Sequence, residues 1–272
     1  MREYKDHYVA FLDILGFKNI IENYNYSEVR AIFDKLLDFT PKSDLYEVYG
    51  YIHKKIMSDS IILFIDSSIK DSFQALIDFC GYIQMCMLSR ENPVLLRGGV
   101  AKGDLYYDDK EEIIFGKGLT DAYNLESKSA IYPRIVFNGE TLRSGKNNIE
   151  KMVVQDAIGM CYLKDSDCYY YVDFLQFPHT EEGKNDTSEF EELLDDWLKY
   201  IYHLKRVCDD VLDSETDNSI RTKYLWLNKK IENQISNSPY LKNHYDSIKL
   251  AEDNKISERI FSNHKRENTS NV

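Results

Sequence analysis

About the first hundred residues alternate between short apolar runs and longer segments with helical periodicity, and this order restricts the folds open to the chain. An apolar run over residues 8–12 ends at a carboxylate, Asp13, and has the character of a buried strand. Beyond Gly16, which permits a tight turn, apolar residues recur at helical spacing from residue 29 to residue 37, behind Ser27 as a candidate cap. These patterns predict a strand followed by an amphipathic helix.

The same alternation then repeats with one added strand. Residues 49–57 and 60–65 have the pattern of two strands, and the short polar turn Ser58-Asp59 between them favours a hairpin. A second helical pattern begins at Asp71-Ser72, and a glycine-containing strand follows around residues 94–101. The resulting order, β-α-β-β-α-β, predicts an α+β fold with a ferredoxin-like core and an antiparallel sheet.

The rest of the chain is predicted to hold short strands and then helices. A strand near residues 113–115, a helix from about 118 to 129 and a strand at 134–137 extend the core, and two or three further strands end at residue 174. Residues 178–187 have the polar composition of a linker, and apolar residues recur at helical spacing beyond them. We therefore expect a folded domain over residues 1–177 and a helical C-terminal extension over residues 178–272.

The net charge of −12, from 34 Lys and Arg against 46 Asp and Glu, restricts the partners of the chain. Because nucleic acid and anionic membranes are bound by clustered Lys and Arg, we expect neither as a partner. No apolar window approaches the roughly 20 residues that span a bilayer, and the N-terminus lacks the layout of a signal peptide. The five cysteines include no C-x-x-C pair, so we expect free thiols in a cytoplasmic protein.

Two aspartates fall at places that favour metal binding. Asp13 ends the first predicted strand and Asp59 begins the third, and these strands are antiparallel neighbours in a ferredoxin-like sheet, so both carboxylates are expected at one edge. Such a pair can bind two Mg²⁺ or Mn²⁺ ions and support phosphoryl transfer. Gly16 and Phe17 lead into a helix whose free amides could contact a polyphosphate. The alternative is that Asp59 is a simple turn residue.

Four blocks of the sequence, in order, resemble the motifs of the class III nucleotidyl cyclases. The resemblance covers residues 8–137, with weaker similarity to about residue 175. It implies a head-to-tail homodimer with active sites at the interface, which converts a nucleoside triphosphate into a 3′,5′-cyclic monophosphate and pyrophosphate. The blocks are Phe-Leu-Asp-Ile-Leu-Gly-Phe at 11–17, Lys-Ile-Met-Ser-Asp-Ser at 55–60, Leu-Arg-Gly-Gly-Val-Ala-Lys-Gly at 96–103, and a helix that begins after Phe-Gly at 115–116 and contains Ala-Tyr-Asn-Leu-Glu at 122–126.

The resemblance also implies roles for individual residues. Asp13 and Asp59 would bind both metal ions, with the carbonyl of Ile14 as an added ligand. Substrate contacts would come from residues in all four blocks. Each role has a structural alternative. The alternatives are a plain turn at residues 16 and 17, a solvated lysine at 55, a scaffold arginine at 97 and a helix-surface role at 120, 121 and 124. The predicted substrate-binding residues are Gly16, Phe17, Lys55, Arg97, Thr120, Asp121 and Asn124.

The base-reading positions depart from the pattern of the purine cyclases. Thr120 stands in place of the asparagine that binds the ribose, and Asn124 in place of the transition-state arginine, for which Lys102, Arg97 or Arg134 are candidate substitutes. Lys55 keeps the base-selecting lysine, whereas the position of its usual aspartate partner falls near Ile113, with Glu112 adjacent.

These departures favour a pyrimidine cyclase. Three variant blocks, at 11–17, 97–106 and 122–126, together with Tyr-Pro-Arg-Ile at 132–135, most resemble the bacterial pyrimidine cyclases of the Pycsar anti-phage defence system. Those soluble enzymes make cyclic UMP or cyclic CMP, which activates a separate effector protein. We therefore expect a UTP or CTP cyclase. A purine cyclase with a reorganised base site and a nucleotide-binding pseudo-cyclase or dimerisation module are the alternatives.

Overall fold

The computed structural model describes residues 4–38, 46–89, 93–148, 162–176, 187–236 and 239–269. The chain divides into two compact units, Met1–Glu181 and Glu182–Val272. The boundary predicted after residue 177 stays a prediction, because it and the expected linker up to residue 186 fall outside the described residues.

The first unit is an α+β domain built on one mixed sheet, in which antiparallel pairs predominate. Its strands lie in the order β2-β3-β1-β4-β6-β8-β7, and β5 pairs with β4. The part β2-β3-β1-β4 has the predicted ferredoxin-like order, so this prediction is confirmed. The elements are β1 (Lys5–Ile14), α1 (Phe17–Asn23), α2 (Tyr26–Asp38), α3 (Tyr46–Tyr49), β2 (His53–Met57), β3 (Ser60–Asp66), α4 (Ser72–Leu88), β4 (Leu96–Asp108), β5 (Ile113–Phe115), α5 (Lys117–Ser129), β6 (Ile135–Phe137), α6 (Gly139–Asn148), β7 (Tyr162–Lys164) and β8 (Tyr170–Val172).

Alternate side chains of β1 point to opposite faces of the sheet, and each face packs against a different core. Tyr8, Ala10 and Leu12 are fully buried in a large core that includes α2 and α4. Val9 belongs to a second, smaller core with Phe64 beneath α5. Successive side chains of a strand point to opposite faces, so Asp13 shares the α5 face with Val9. The candidate metal edge therefore lies on the face that α5 covers.

The start of α2 differs by two residues from the prediction. Ser27 is inside the helix, and Asn25 is the capping residue instead. The amide of Glu28 donates to Asn25 Oδ1 (3.1 Å), and the amide of Asn25 donates to Glu28 Oε2 (2.8 Å). This reciprocal pair is a capping box, which fixes where the helix begins.

Two strand boundaries also differ. The strand predicted from residue 49 begins at His53, because Tyr46–Tyr49 forms the short helix α3. The glycine-containing strand β4 runs on to Asp108, beyond its predicted end near residue 101. The longer β4 pairs with all ten residues of β1, from Lys5 to Ile14. These two paired strands carry the candidate site.

The second unit is helical, as predicted. Its helices are α7 (Thr187–Ser214), α8 (Asn218–Ser236) and α9 (Pro239–Thr269), and they contact one another. Buried apolar residues recur along α7 and α8, for example Leu198, Ile201 and Ile231. Among the helices that the structure describes, none combines the length and the apolar character needed to cross a membrane.

The described cysteines are free thiols, as expected. They are Cys80, Cys86, Cys168 and Cys208, while Cys161 lies outside the described residues. Cys80 and Cys208 are buried, and burial raises the pKa of the Cys208 thiol to about 12. Because the thiolate is the reactive form, these two cysteines are packing residues rather than candidate nucleophiles.

Candidate active site

Strands β1 and β3 bring the two candidate metal ligands together. Asp13 lies directly opposite Ser60 in the antiparallel register, and Asp59 immediately precedes Ser60. The amide of Ile14 donates a hydrogen bond to the carbonyl of Asp59 (3.1 Å), which ties the β2–β3 turn to the end of β1. The Asp59 carboxylate is near enough to Asp13 to raise the pKa of that residue. The structure thus places both carboxylates at one edge of the sheet.

The electrostatics of this edge suit a hard cation. Burial raises the pKa of Asp13, the hydrogen bond and charge of Arg97 lower it, and the charge of Asp59 raises it again. A divalent cation would relieve this repulsion, and carboxylate and carbonyl oxygens are the donors that Mg²⁺ and Mn²⁺ prefer. Within the described ranges no cluster of three or more His, Cys, Asp or Glu is arranged for a metal. The donor set that the resemblance implies, Asp13, Asp59 and the carbonyl of Ile14, stays a prediction.

Arg97 is tied to carboxylates of this edge. It lies directly opposite Asp13 on β4, and its Nε donates to Asp13 Oδ2 at 3.0 Å. Its Nη2 lies 2.8 Å from Oε1 of Glu126, a buried residue of α5. Burial raises the pKa of Glu126, the charge of Arg97 opposes that shift, and Asp13 and Asp59 add to it. The predicted substrate residue Arg97 therefore lies at the candidate metal edge, where it pairs with two carboxylates.

Glu126 is not among the site residues predicted from the sequence. A signal was nevertheless present, because Gly118, Ala122 and Glu126 recur every four residues along α5. Residues at that spacing lie on one face of a helix. All three are buried against the sheet, so a carboxylate in register with two small residues faces inward.

Gly16 and Phe17 lie directly after β1, at the start of the seven-residue helix α1. Gly16 has φ +73°, a left-handed conformation that favours glycine. The turn is held by a hydrogen bond from the amide of Leu15 to the carbonyl of Leu95 (2.9 Å) and by one from Ile20 to Gly16 (3.2 Å). The backbone that leaves Asp13 is therefore fixed, while the contact of these amides with a triphosphate stays a prediction.

Lys55 pairs with a carboxylate, but not at position 112 or 113, where the sequence placed the usual partner. Its Nζ lies 2.8 Å from Oδ1 of Asp109, in the turn between β4 and β5. Asp108 shapes this turn by accepting from the amides of Lys110 (2.9 Å) and Glu111 (3.3 Å). Asp109 thus supplies the carboxylate that position 113 lacks.

An aromatic cluster adjoins Lys55 on the same face of the sheet. His53 stacks on Phe64 with ring centroids 4.9 Å apart, and its Nε2 lies 3.3 Å from the hydroxyl of Tyr107. Burial lowers the pKa of His53, so its imidazole is neutral at physiological pH. Lys55 is therefore set among rings and one carboxylate, in surroundings that could accept a planar base.

Two of the predicted α5 residues already have partners within that helix. The hydroxyl of Thr120 donates to the carbonyl of Gly116 (3.1 Å). The carboxylate of Asp121 pairs with Lys117, one turn earlier. To contact a substrate as predicted, each of these side chains would have to share its local partner with the substrate or release it.

Asp121 and Asn124 line a cavity of about 710 Å³, whose wall also includes residues of β4 and α6. Glu126, two residues after Asn124, faces the metal edge instead. At 3.6 residues per turn, positions two apart point to nearly opposite sides of a helix. Asn124 therefore points away from the Asp13–Asp59 pair of its own chain.

Of the candidates for the missing transition-state arginine, Arg134 is excluded. It is 1% exposed, and its guanidinium is bound by Asp165 (2.7 Å) and Asp167, in the turn between β7 and β8. The consideration of Arg134 as a catalytic residue is wrong, because these carboxylates enclose it. Lys102 lines the 710 Å³ cavity with its Nζ 3.8 Å from Asp6, so Arg97 is the candidate that lies at the metal edge.

Comparisons with known proteins give remote structural likenesses. No protein-family model matches the sequence, and no curated protein does. The adenylyl cyclase CyaB from P. aeruginosa is 17% identical with a TM-score of 0.44, over 62% of this chain and 94% of that one. A bacterial light-regulated adenylyl cyclase is 14% identical, with a TM-score of 0.39, over 72% and 100%. An adenylate/guanylate cyclase/hydrolase from Silicibacter pomeroyi is 17% identical, with a TM-score of 0.41, over 62% and 95%.

Proposed function

We propose that the chain is a nucleotidyl cyclase, which converts a pyrimidine nucleoside triphosphate into its 3′,5′-cyclic monophosphate and pyrophosphate. The observation that carries the proposal is the meeting of Asp13 and Asp59 at one edge of the sheet. Each aspartate lies in a sequence block that resembles a metal motif of the class III cyclases. The pair would hold the ions on adjacent, hydrogen-bonded elements, which favours a fixed geometry.

The reaction is an internal displacement at phosphorus. The ribose 3′-oxygen attacks the α-phosphorus, the bond from that phosphorus to the oxygen bridging to the β-phosphate breaks, and pyrophosphate leaves with the electron pair. The proton of the 3′-hydroxyl passes to solvent. Divalent ions bound by Asp13, Asp59 and the Ile14 carbonyl would acidify this hydroxyl and neutralise phosphate charge. The protein residues mainly align the substrate and exclude other geometries.

A homodimer is part of the proposal. The side chains of Met57, Ile113, Phe115 and Tyr123 are exposed apolar groups on strands β2 and β5 and helix α5. These side chains are accessible to a second copy of the chain. In a head-to-tail dimer, Asn124, which points away from the metal edge of its own chain, could serve the site of its partner.

The pyrimidine substrate is supported by the small neutral residues Thr120 and Asn124 at positions where purine cyclases differ. The Lys55–Asp109 ion pair favours the second candidate, a purine cyclase, because it restores a lysine with a carboxylate partner at the base-reading position. We further propose that the cyclic nucleotide activates a separate effector protein in cytoplasmic anti-phage defence. That role is inferred from the Pycsar-like blocks.

The substrate is tested by incubating the purified chain with ATP, GTP, CTP or UTP and Mn²⁺ and resolving the products by mass spectrometry. Cyclic UMP or cyclic CMP supports the proposal, and a purine product supports the alternative. No cyclic product from any of the four would indicate a pseudo-cyclase. Asp13→Ala and Asp59→Ala are expected to abolish turnover, whereas Asp34→Ala, an exposed aspartate of α2 paired with Arg30, serves as the control.

A further inference from the structure

Glu126 is a buried carboxylate whose partner is the arginine of the metal edge. It is 3% exposed, and its Oε1 lies 2.8 Å from Nη2 of Arg97. The same guanidinium donates through Nε to Asp13 Oδ2 at 3.0 Å. Arg97 therefore has two anchors, one buried on α5 and one that is a candidate metal ligand.

The seating of α5 on β4 fixes the position of the buried anchor. A Cβ atom at Gly99 would lie 2.5 Å from Cβ of Leu125 and 2.8 Å from the amide nitrogen of Glu126. Because position 99 has no side chain, the backbone of α5 rests directly on β4, two residues from Arg97. Packing of the backbone, rather than a flexible side chain, thus holds Glu126 over the guanidinium.

A divalent cation and the guanidinium compete for the same carboxylate. Oδ2 of Asp13 accepts a hydrogen bond from Arg97 and belongs to the donor set that fits the cation. Two positive groups on one carboxylate repel each other, so the guanidinium has to yield when the cation binds. Glu126 offers Arg97 a second carboxylate, so the partly buried guanidinium keeps a counter-charge when the cation takes Asp13.

We propose that Glu126 is a positioning residue that acts through Arg97, by holding the guanidinium when a divalent cation takes Asp13. The inference rests on the proposed metal site and extends it to a residue outside the proposed donor set. Without the charge of Glu126, Arg97 stays on Asp13 and competes with the cation.

Mn²⁺ binding by the full chain without nucleotide, followed by the electron paramagnetic resonance signal of the free ion, tests this role. Glu126→Gln keeps the size of the side chain and removes its charge. We expect Mn²⁺ to bind about tenfold more weakly, the lower end of the effect seen when a group supporting a metal ligand is lost. Glu232→Gln, an exposed glutamate that pairs with Lys205 at 3.6 Å, is the matched control and should bind as wild type does.

A double-mutant cycle separates action through Arg97 from simple charge attraction. Arg97→Gln removes the competing guanidinium, so adding Glu126→Gln to it should change Mn²⁺ affinity by less than about twofold. An equal loss in both backgrounds would mean that Glu126 acts by its charge alone, and would overturn the proposal. Wild-type affinity in Glu126→Gln would overturn it as well.

Two further variants keep the outcome interpretable. If circular dichroism shows that Glu126→Gln does not fold, Glu126→Asp replaces it, since aspartate keeps the charge but does not reach Arg97. It should weaken Mn²⁺ binding only where Arg97 is present, and any other pattern contradicts the proposal. Asp13→Asn is the reference for the site itself, because a wild-type chain that binds no more Mn²⁺ than Asp13→Asn would contradict the proposed metal site rather than the role of Glu126.

Discussion

Two corners of the first unit hold an arginine between two carboxylates, and they differ in burial. Arg97, on β4, has a side chain 28% exposed and lies between Asp13 and Glu126. Arg134, before β6, has a side chain 1% exposed and lies between two aspartates of the β7–β8 turn. The same pairing chemistry therefore occurs once at an open edge and once in an enclosed corner.

The difference between the corners is one of charge balance. At the open edge Asp59 adds a third carboxylate, so three acids face the single charge of Arg97, and the pKa values of Asp13 and Glu126 are both raised mainly by burial. At the enclosed corner Asp167 is 41% exposed, so water screens part of its charge. The open edge is left with negative charge that a cation can neutralise, whereas solvent screens part of the negative charge at the Arg134 corner.

The largest contrast is expected between Asp13→Asn and Asp165→Asn. Loss of a direct metal ligand should lower cyclase activity at least about 100-fold, since even a supporting group costs 10–100-fold. Asp165→Asn should lower the melting temperature and leave the activity of the folded protein unchanged. Cyclic nucleotide formation and thermal melts of both variants check this, and equal loss of activity would break the distinction between the corners.

The loss of stability should be larger at the Arg134 corner than at the Arg97 corner, which is the reverse of the order expected for activity. Arg134→Gln removes a guanidinium that is 1% exposed, together with its ion pairs to Asp165 and Asp167, and should lower the free energy of unfolding by about 3 kcal/mol. Arg97→Gln removes a guanidinium that is 28% exposed and should lower it by about 1 kcal/mol or less. Urea denaturation of both variants in EDTA measures the difference. Equal losses would show that the Arg97 pair is as structural as the Arg134 pair.

A smaller effect is expected in the pH dependence of stability without metal. Burial raises the pKa of Glu126, so the folded state holds this proton more tightly than the unfolded state. The stability of the wild-type chain should therefore fall as pH rises from the ordinary range of a glutamate, near 4.3, through the raised pKa. The glutamine side chain of Glu126→Gln does not titrate. Thermal melts in EDTA should therefore show the stability of this variant increasing relative to that of wild type as pH rises. Parallel profiles would contradict this assignment.

The meeting of Asp13 and Asp59 at one edge of the sheet could be predicted from the sequence, because it depends on features that local patterns fix. Asp13 and Asp59 follow from where an apolar strand ends and where a hairpin turns, and the order of elements sets β1 beside β3. The helix α5 and the C-terminal helices follow from their periodicity in the same way.

The partners of the charged side chains could not be predicted, because they depend on tertiary approach. Glu126 reaches Arg97 only because Gly99 lets α5 rest on β4. Asp109 meets Lys55 through the geometry of a turn, and Arg134 meets aspartates more than 30 residues further along the chain. Spacing in one sequence does not fix such contacts, since side-chain reach and helix rotation decide them.

Binding of Mn²⁺ by the wild-type chain and by Asp59→Asn, measured by electron paramagnetic resonance, tests most directly whether the two aspartates form one site. Asp59 is contributed by the β2–β3 turn and Asp13 by β1, so a shared site requires both. We predict that wild type removes the signal of free Mn²⁺ and that Asp59→Asn leaves it in solution. Equal binding by the two proteins would contradict the account and make Asp59 a turn residue.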